Sequence, residues 1–145
     1  MAPKVRRSKL PESNSAISEA KQTAQKFASE LINFSFKYLT EQNEKFQCYR
    51  EAHVYYHDFL KRIKALSTLK IMEFLSNRSD ALRAHPIVWE KTTEKKGFGI
   101  PAEDQIVDTP YQFTLSANEN GRIHGFFIQN TFYIVWFDKD HALYS

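Results

Sequence analysis

The sequence predicts a single α+β domain over residues 15–145. N-terminal helices pack on a mostly antiparallel sheet of four or five strands, which ends in a C-terminal β-meander. Three observations predict this. Residues 111–144 read as three strand-like runs joined by two turns. Residues 15–30 and 46–66 carry apolar side chains at spacings of three and four. And 145 residues, 42% of them hydrophobic and 14% aromatic, are enough for one real core and too apolar for a chain that stays disordered.

In chain order, residues 1–14 are polar, basic and broken by Pro3 and Pro11, so they read as a disordered arm with too little apolar content to offset ordering entropy. The arm is either an electrostatic tether to nucleic acid or an acidic partner, or a solubilising tail. Residues 15–30 are rich in Ala, Glu, Lys and Gln, and Ser15 or Asn14 can cap them. Ile17, Ala20, Ala24, Phe27 and Leu31 fall on one helical stripe. The period then changes to two: Ile32, Phe34, Phe36 and Tyr38 alternate with other residues, which predicts a first strand with Phe34 and Phe36 in the core.

Residues 46–66 form the longest helical pattern. Ala52, Tyr55, Tyr56, Phe59, Leu60, Ile63 and Leu66 make its stripe, and Lys61, Arg62 and Lys64 load the end where cations suit the helix dipole. A shorter helix follows through Leu75. Residues 82–89 are extended, and Pro86 assigns them to a sheet edge, because proline donates no ladder hydrogen bond. Residues 92–99 are charged and contain two glycines, which predicts a mobile surface connection. Residues 101–106 suit one helical turn opened by proline.

The meander follows from local chemistry. Tyr111, Phe113 and Leu115 alternate with polar residues. Residues 118–121 (NENG) tolerate positive φ and reverse the chain. Residues 122–128 are the second run, and Gln129-Asn130 is a two-residue turn. Residues 131–137 (TFYIVWF) are aromatic or β-branched throughout, the pattern of an interior strand buried on both faces, so Phe132, Ile134 and Trp136 belong to the core.

Composition narrows the function classes. No apolar run approaches the length of about 20 residues that a membrane-spanning helix needs. Cys48 is the only cysteine, so an internal disulfide is impossible and a cytoplasmic setting fits best. Of the net +3, four positive charges come from Lys4, Arg6, Arg7 and Lys9, which leaves about −1 on the remainder. From Arg83 onward, six Lys/Arg face eight Asp/Glu, so the β-rich part as a whole is mildly acidic.

Two constellations could carry chemistry. His53 and His57 lie four apart on the long helix and share a face, as two metal ligands would. Val54 stands where a zinc protease has its glutamate, and a third ligand would have to come from elsewhere, so surface histidines are the plainer reading and no metal or other cofactor is expected. The second set is Arg122, His124, His141 and Tyr144. Arg122 and His124 leave one face of a strand, while His141 and Tyr144 follow the last strand beside Asp138 and Asp140. A guanidinium, an imidazole and a phenol together can cleave RNA: the arginine stabilises the scissile phosphate, and the other groups move protons to and from the 2′-hydroxyl and the leaving oxygen. The plainer reading is an arginine paired with Asp138 or Asp140 and a tyrosine closing the sheet end.

Over residues 111–144 this arrangement resembles the RelE/YoeB-like toxins of bacterial toxin–antitoxin pairs, with Arg122, His141 and Tyr144 as the matching residues. The resemblance implies a small α+β, metal-independent endoribonuclease that cuts mRNA at the ribosome. Its partners would be RNA, the ribosome and a cognate protein antitoxin, and its role would be in bacterial or mobile-element stress or defence. The final H-A-L-Y departs from the adjacent pair expected for the family. The alternative is a non-enzymatic protein-interaction module of a bacterial or mobile-element system, working through an aromatic sheet or helix face.

Overall fold

The computed structural model describes residues 15–40, 43–46, 53–76, 82–115 and 121–144. The basic arm, Cys48, the loop at 77–80, and positions 118–120 of the predicted reversal lie outside the described residues. The elements are α1 (Ser15–Glu30), β1 (Asn33–Ser35), α2 (His53–Leu66), α3 (Ile71–Ser76), β2 (His85–Pro86), α4 (Glu103–Ile106), β3 (Pro110–Thr114), β4 (Arg122–Ile128) and β5 (Thr131–Asp138). Single 3-10 turns occur at Glu44–Phe46 and Trp89–Lys91. The five strands form one sheet in the order β1-β5-β4-β3-β2. β2, β3, β4 and β5 pair antiparallel, while β1 runs parallel to β5. This is the α+β class with the C-terminal meander that the sequence predicts.

The strand alternation divides the core in two. On one face, Phe113, Leu115, Ile123, Phe132, Ile134 and Phe137 meet Tyr55, Phe59 and Leu66 of α2 and Phe74 of α3. On the other, Phe126, Val135 and Trp136 meet Phe46, Ile87, Phe98 and Leu143, all from turns and connections. β5 supplies both clusters, as its unbroken apolar run requires. The register between β4 and β5 jumps: His124 pairs with Trp136 but Gly125 with Ile134. Val135 is thus the extra residue of a β-bulge, and it faces the same side as Trp136.

At the bulge Gly125 is required by close approach. A Cβ there would fall on the Tyr133 carbonyl oxygen and come within 2.7 Å of Phe132 Cε1. Because the obstruction is backbone, Gly125→Ala should destabilise the fold by about 1–3 kcal/mol. Chemical denaturation measures it, and an unchanged midpoint would show that β4 and β5 separate there at little cost.

Several expectations from the sequence are corrected. Ala20 and Ala24 are exposed, as are all side chains at 18–26. The helix-side core is built with α2 and α3, whose apolar faces cover the sheet, and not with these positions of α1. The side chains of Ile17 and Phe27 lie outside the described ones. The first strand is shorter than predicted: the chain turns at Lys37 and Tyr38, and Phe36 is 50% exposed. Phe46 lies in a 3-10 turn on the far side of the sheet, not in the long helix, and Leu60 lies outside the buried stripe of α2.

The connection at 92–99 is not merely a surface segment. Gly97 and Gly99 take left-handed backbone (φ 89° and 77°), and Phe98 between them is buried against Trp89 and Trp136. Glu103 fixes this turn by accepting the N–H groups of Phe98 (2.9 Å) and Gly99 (2.7 Å). The meander's second face also carries large apolar side chains, Phe126, Val135 and Trp136, and since α2 and α3 cover the other face, a connection shields them.

Candidate active site

Sheet register builds the site. β2, β3, β4 and β5 bring His85, Gln112, His124 and Trp136 into one cross-strand row. Two residues on, the next row holds Thr114, Arg122 and Asp138. Side chains two apart share a face, so both rows lie on the side opposite α2 and α3.

Asp138 shapes the chain beyond the last strand. Its Oδ1 accepts the Ala142 N–H (2.7 Å) and its Oδ2 the Leu143 N–H (2.9 Å). The turn between holds His141 in left-handed backbone with φ 54°. Further bonds stitch this end to the segment after β2. Thr93 N–H donates to the Leu143 carbonyl (2.7 Å), and Val88 N–H donates to the Tyr144 hydroxyl (3.3 Å). The His141 and Tyr144 rings stack at 6.1 Å with 25° between planes, and Tyr144 meets the His85 ring edge-on at 6.1 Å.

Arg122, His141 and Tyr144, all anticipated from sequence, therefore gather at one end of the meander. His141 is pushed below the ordinary imidazole range, first by partial burial and then by the Arg122 charge, against the pull of Asp138. Arg122 is lowered by burial and then by Arg83, with Asp138 opposing; a guanidinium remains charged throughout. Burial raises Asp138, and the two backbone N–H groups resist that rise.

His124 is placed differently from its neighbours. It is 0% exposed, walled in by the rings of Phe46 and Trp136, and reaches no surface from which to touch a substrate. Its Nε2 stands 3.7 Å from Asp138 Oδ2, and neither ring nitrogen has a hydrogen-bond partner among the described residues. Burial, then the charges of His141, Arg122 and His85, push it down to about 3. The contact with Asp138 at neutral pH is consequently a neutral imidazole beside a carboxylate, not an ion pair.

The consequence for stability has a definite sign. An unfolded chain protonates this histidine at its ordinary value near 6.5, whereas the folded one resists until about 3. Stability from this source is complete above about pH 6.5 and declines as pH falls toward 3, by on the order of a few kcal/mol. The raised Asp138 acts in the opposite sense over its own range, its contribution being present at low pH and lost as pH rises. Denaturant melts between neutral pH and about 4.5 should therefore show a loss that His124→Phe reduces. An equal slope in the variant would assign the acid sensitivity elsewhere.

Sequence reasoning missed Arg83, His85 and Gln112. His85 Nδ1–H donates to the Pro86 carbonyl (2.8 Å), which leaves Nε2 to accept from the Gln112 amide at 2.9 Å. The signal was available: R-x-H occurs twice, at Arg83-Ala84-His85, which leads into β2, and at Arg122-Ile123-His124 on β4, the two strands flanking β3. Although the meander is acidic by count, Arg122, His124 and His141 lie around Asp138, whose carboxylate is already engaged by two backbone N–H groups.

Among the described residues no group of three or more His, Cys, Asp or Glu is placed to hold a metal ion, and His53 and His57 are both exposed on α2. No described helix is long and apolar enough to cross a membrane. Comparison with protein-family models, with curated proteins and with solved structures finds no match to this chain.

Proposed function

We propose that the chain is a ribonuclease of the RelE/YoeB-like kind, cutting ribosome-bound mRNA by proton transfer between protein side chains. The observation that carries this reading is the convergence of Arg122, His141 and Tyr144, from a strand, a turn and the segment beyond it, on one end of the sheet. Arg122, with Arg83 beside it, would stabilise the charge that develops on the scissile phosphate. His141, depressed below 6.5 and half-exposed, is neutral at physiological pH and suited to accept the 2′-hydroxyl proton. Tyr144, its oxygen held by the Val88 N–H, would give its own proton to the leaving oxygen. His124 would act only through Asp138, as a positioning residue beneath the turn. On this reading the protein works in the cytoplasm in a bacterial or mobile-element stress or defence role, with a cognate protein antitoxin.

A second reading, a non-enzymatic interaction module, is favoured by Phe36, Val54, Leu60 and Met72, large apolar side chains that remain exposed on the helix side. Purified protein added to a translating ribosome system separates the two. The ribonuclease reading expects new mRNA 5′ ends in the presence of wild type and their loss with Arg122→Ala, His141→Ala and Tyr144→Ala. Folded wild type that leaves translating mRNA uncut overturns it and leaves the module standing.

A further inference from the structure

The outer face of α2 serves neither the core nor the sheet end. Tyr55, Phe59 and Leu66 turn inward, which leaves His53, Val54, His57, Leu60, Lys61 and Lys64 exposed along the opposite side of the helix. Positions 53, 57, 60, 61 and 64 recur at helical spacing, so they form one continuous stripe. The composition of this stripe is unusual for a solvated helix face. It carries two lysines, two histidines and two large aliphatics and has no acidic member, Asp58 being half-buried to one side.

Exposure of Val54 and Leu60 is 64% each. On the flank beyond Leu60 lie the half-buried Tyr56 and Ile63, and Phe36, half out of the core, packs its ring edge-on against Phe59 at 6.2 Å. An apolar strip of Phe36, Tyr56, Ile63 and Leu60 thus runs beside a cationic one.

We infer that the outer face of α2 docks an acidic amphipathic segment of a protein partner, with the partner's apolar side chains on Leu60 and Phe36 and its carboxylates on Lys61 and Lys64. Charge complementarity selects this occupant. Among the described residues this stripe has lysines and no carboxylate, so it disfavours a second copy of itself and attracts an acidic chain. Exposed aliphatics in its midst disfavour nucleic acid, whose backbone rewards cations and aromatic stacking rather than Leu or Val. They are also too few for insertion into a membrane surface, because the helix's main apolar face is already spent on the core. The face lies on the opposite side of the sheet from Arg122 and His141, so docking there is independent of whether that end cleaves RNA.

The test uses the full chain and a fluorescein-labelled amphipathic peptide with Leu at helical spacing and Glu elsewhere. The comparison probes are a scrambled peptide of the same composition, an oligoribonucleotide, and vesicles containing anionic lipid. The amphipathic peptide should bind, the scrambled one much less, and added salt should weaken the complex. Lys61→Glu with Lys64→Glu should weaken binding about tenfold, and Leu60→Asp comparably. A peptide with Lys in place of Glu should bind the double variant better than wild type. Lys95→Glu with Lys96→Glu, an exposed pair elsewhere, should change nothing. Amide NMR shifts in the wild type should localise to α2 and Phe36, which keeps the test independent of how any variant folds. Equal binding of the scrambled peptide, shifts confined to other elements, or RNA or vesicle binding that the α2 variants abolish while the peptide fails, would each overturn the assignment.

Discussion

Replacing Arg122 with alanine should slow cleavage of ribosome-bound mRNA about a hundredfold or more, the usual cost of losing a preorganised donor aimed at developing charge. The fold should survive. Arg122 is buried on β4, where burial and then Arg83 disfavour its charge and Asp138 favours it, so removal sets the lost attraction to Asp138 and the lost Nη1–H bond to the Gly121 carbonyl (3.1 Å) against the relieved cost of burying a cation. Arg122→Lys should recover only part of the rate, since an ammonium keeps the charge but not the planar fork that matches a phosphate. Single-turnover cleavage rates, read beside melting curves for each variant, give the comparison. A variant that keeps full activity would remove Arg122 from the mechanism. A variant that loses rate only in proportion to lost folded protein would make it a structural residue.

Trp136→Ala should cost about 3–5 kcal/mol in denaturant melts. Trp136 is 1% exposed and is the hub of the second core. Phe46 stacks on it at 4.4 Å, Phe98 and Trp89 meet it edge-on at 5.0 and 6.0 Å, and His124 lies against it at 5.9 Å. Those partners come from separate segments of the chain, so no single shift of backbone closes the space left behind. Trp136→Phe is the informative contrast. The indole N–H has no hydrogen-bond partner among the described residues, so phenylalanine forfeits volume but no polar contact. It should cost well under half as much as alanine. A loss below about 1 kcal/mol for the alanine variant would mean that this layer does not depend on the ring.

The sequence by itself determined the elements whose signal is local. Period-two alternation and turn residues located the meander, and the absence of polar positions in 131–137 marked β5 as an interior strand. Pro86 assigned its segment to a sheet edge, and the observed two-residue β2 sits there. Arg122 and His124 could be placed on one face from spacing alone, and the hairpin then had to carry them toward the end of β5. The helix of residues 15–30 was legible too, but not its surroundings.

Tertiary structure decided what depends on long-range pairing. Periodicity shows that a helix has an apolar face but not whether the sheet has room for it, so the exposure of Ala20, Ala24 and Leu60 could not be read in advance. Composition made residues 92–99 look like surface, because charged neighbours hide the single Phe98 that two left-handed glycines turn inward. Burial separated His124 from its companions: a period of two places a side chain on a face, but only the rings of Phe46 and Trp136, arriving from distant segments, decide that the face is dry. And Arg83 and His85 joined the site through the pairing of β2 with β3, a register set by the hydrogen bonds of two segments about 25 residues apart, which no local pattern encodes.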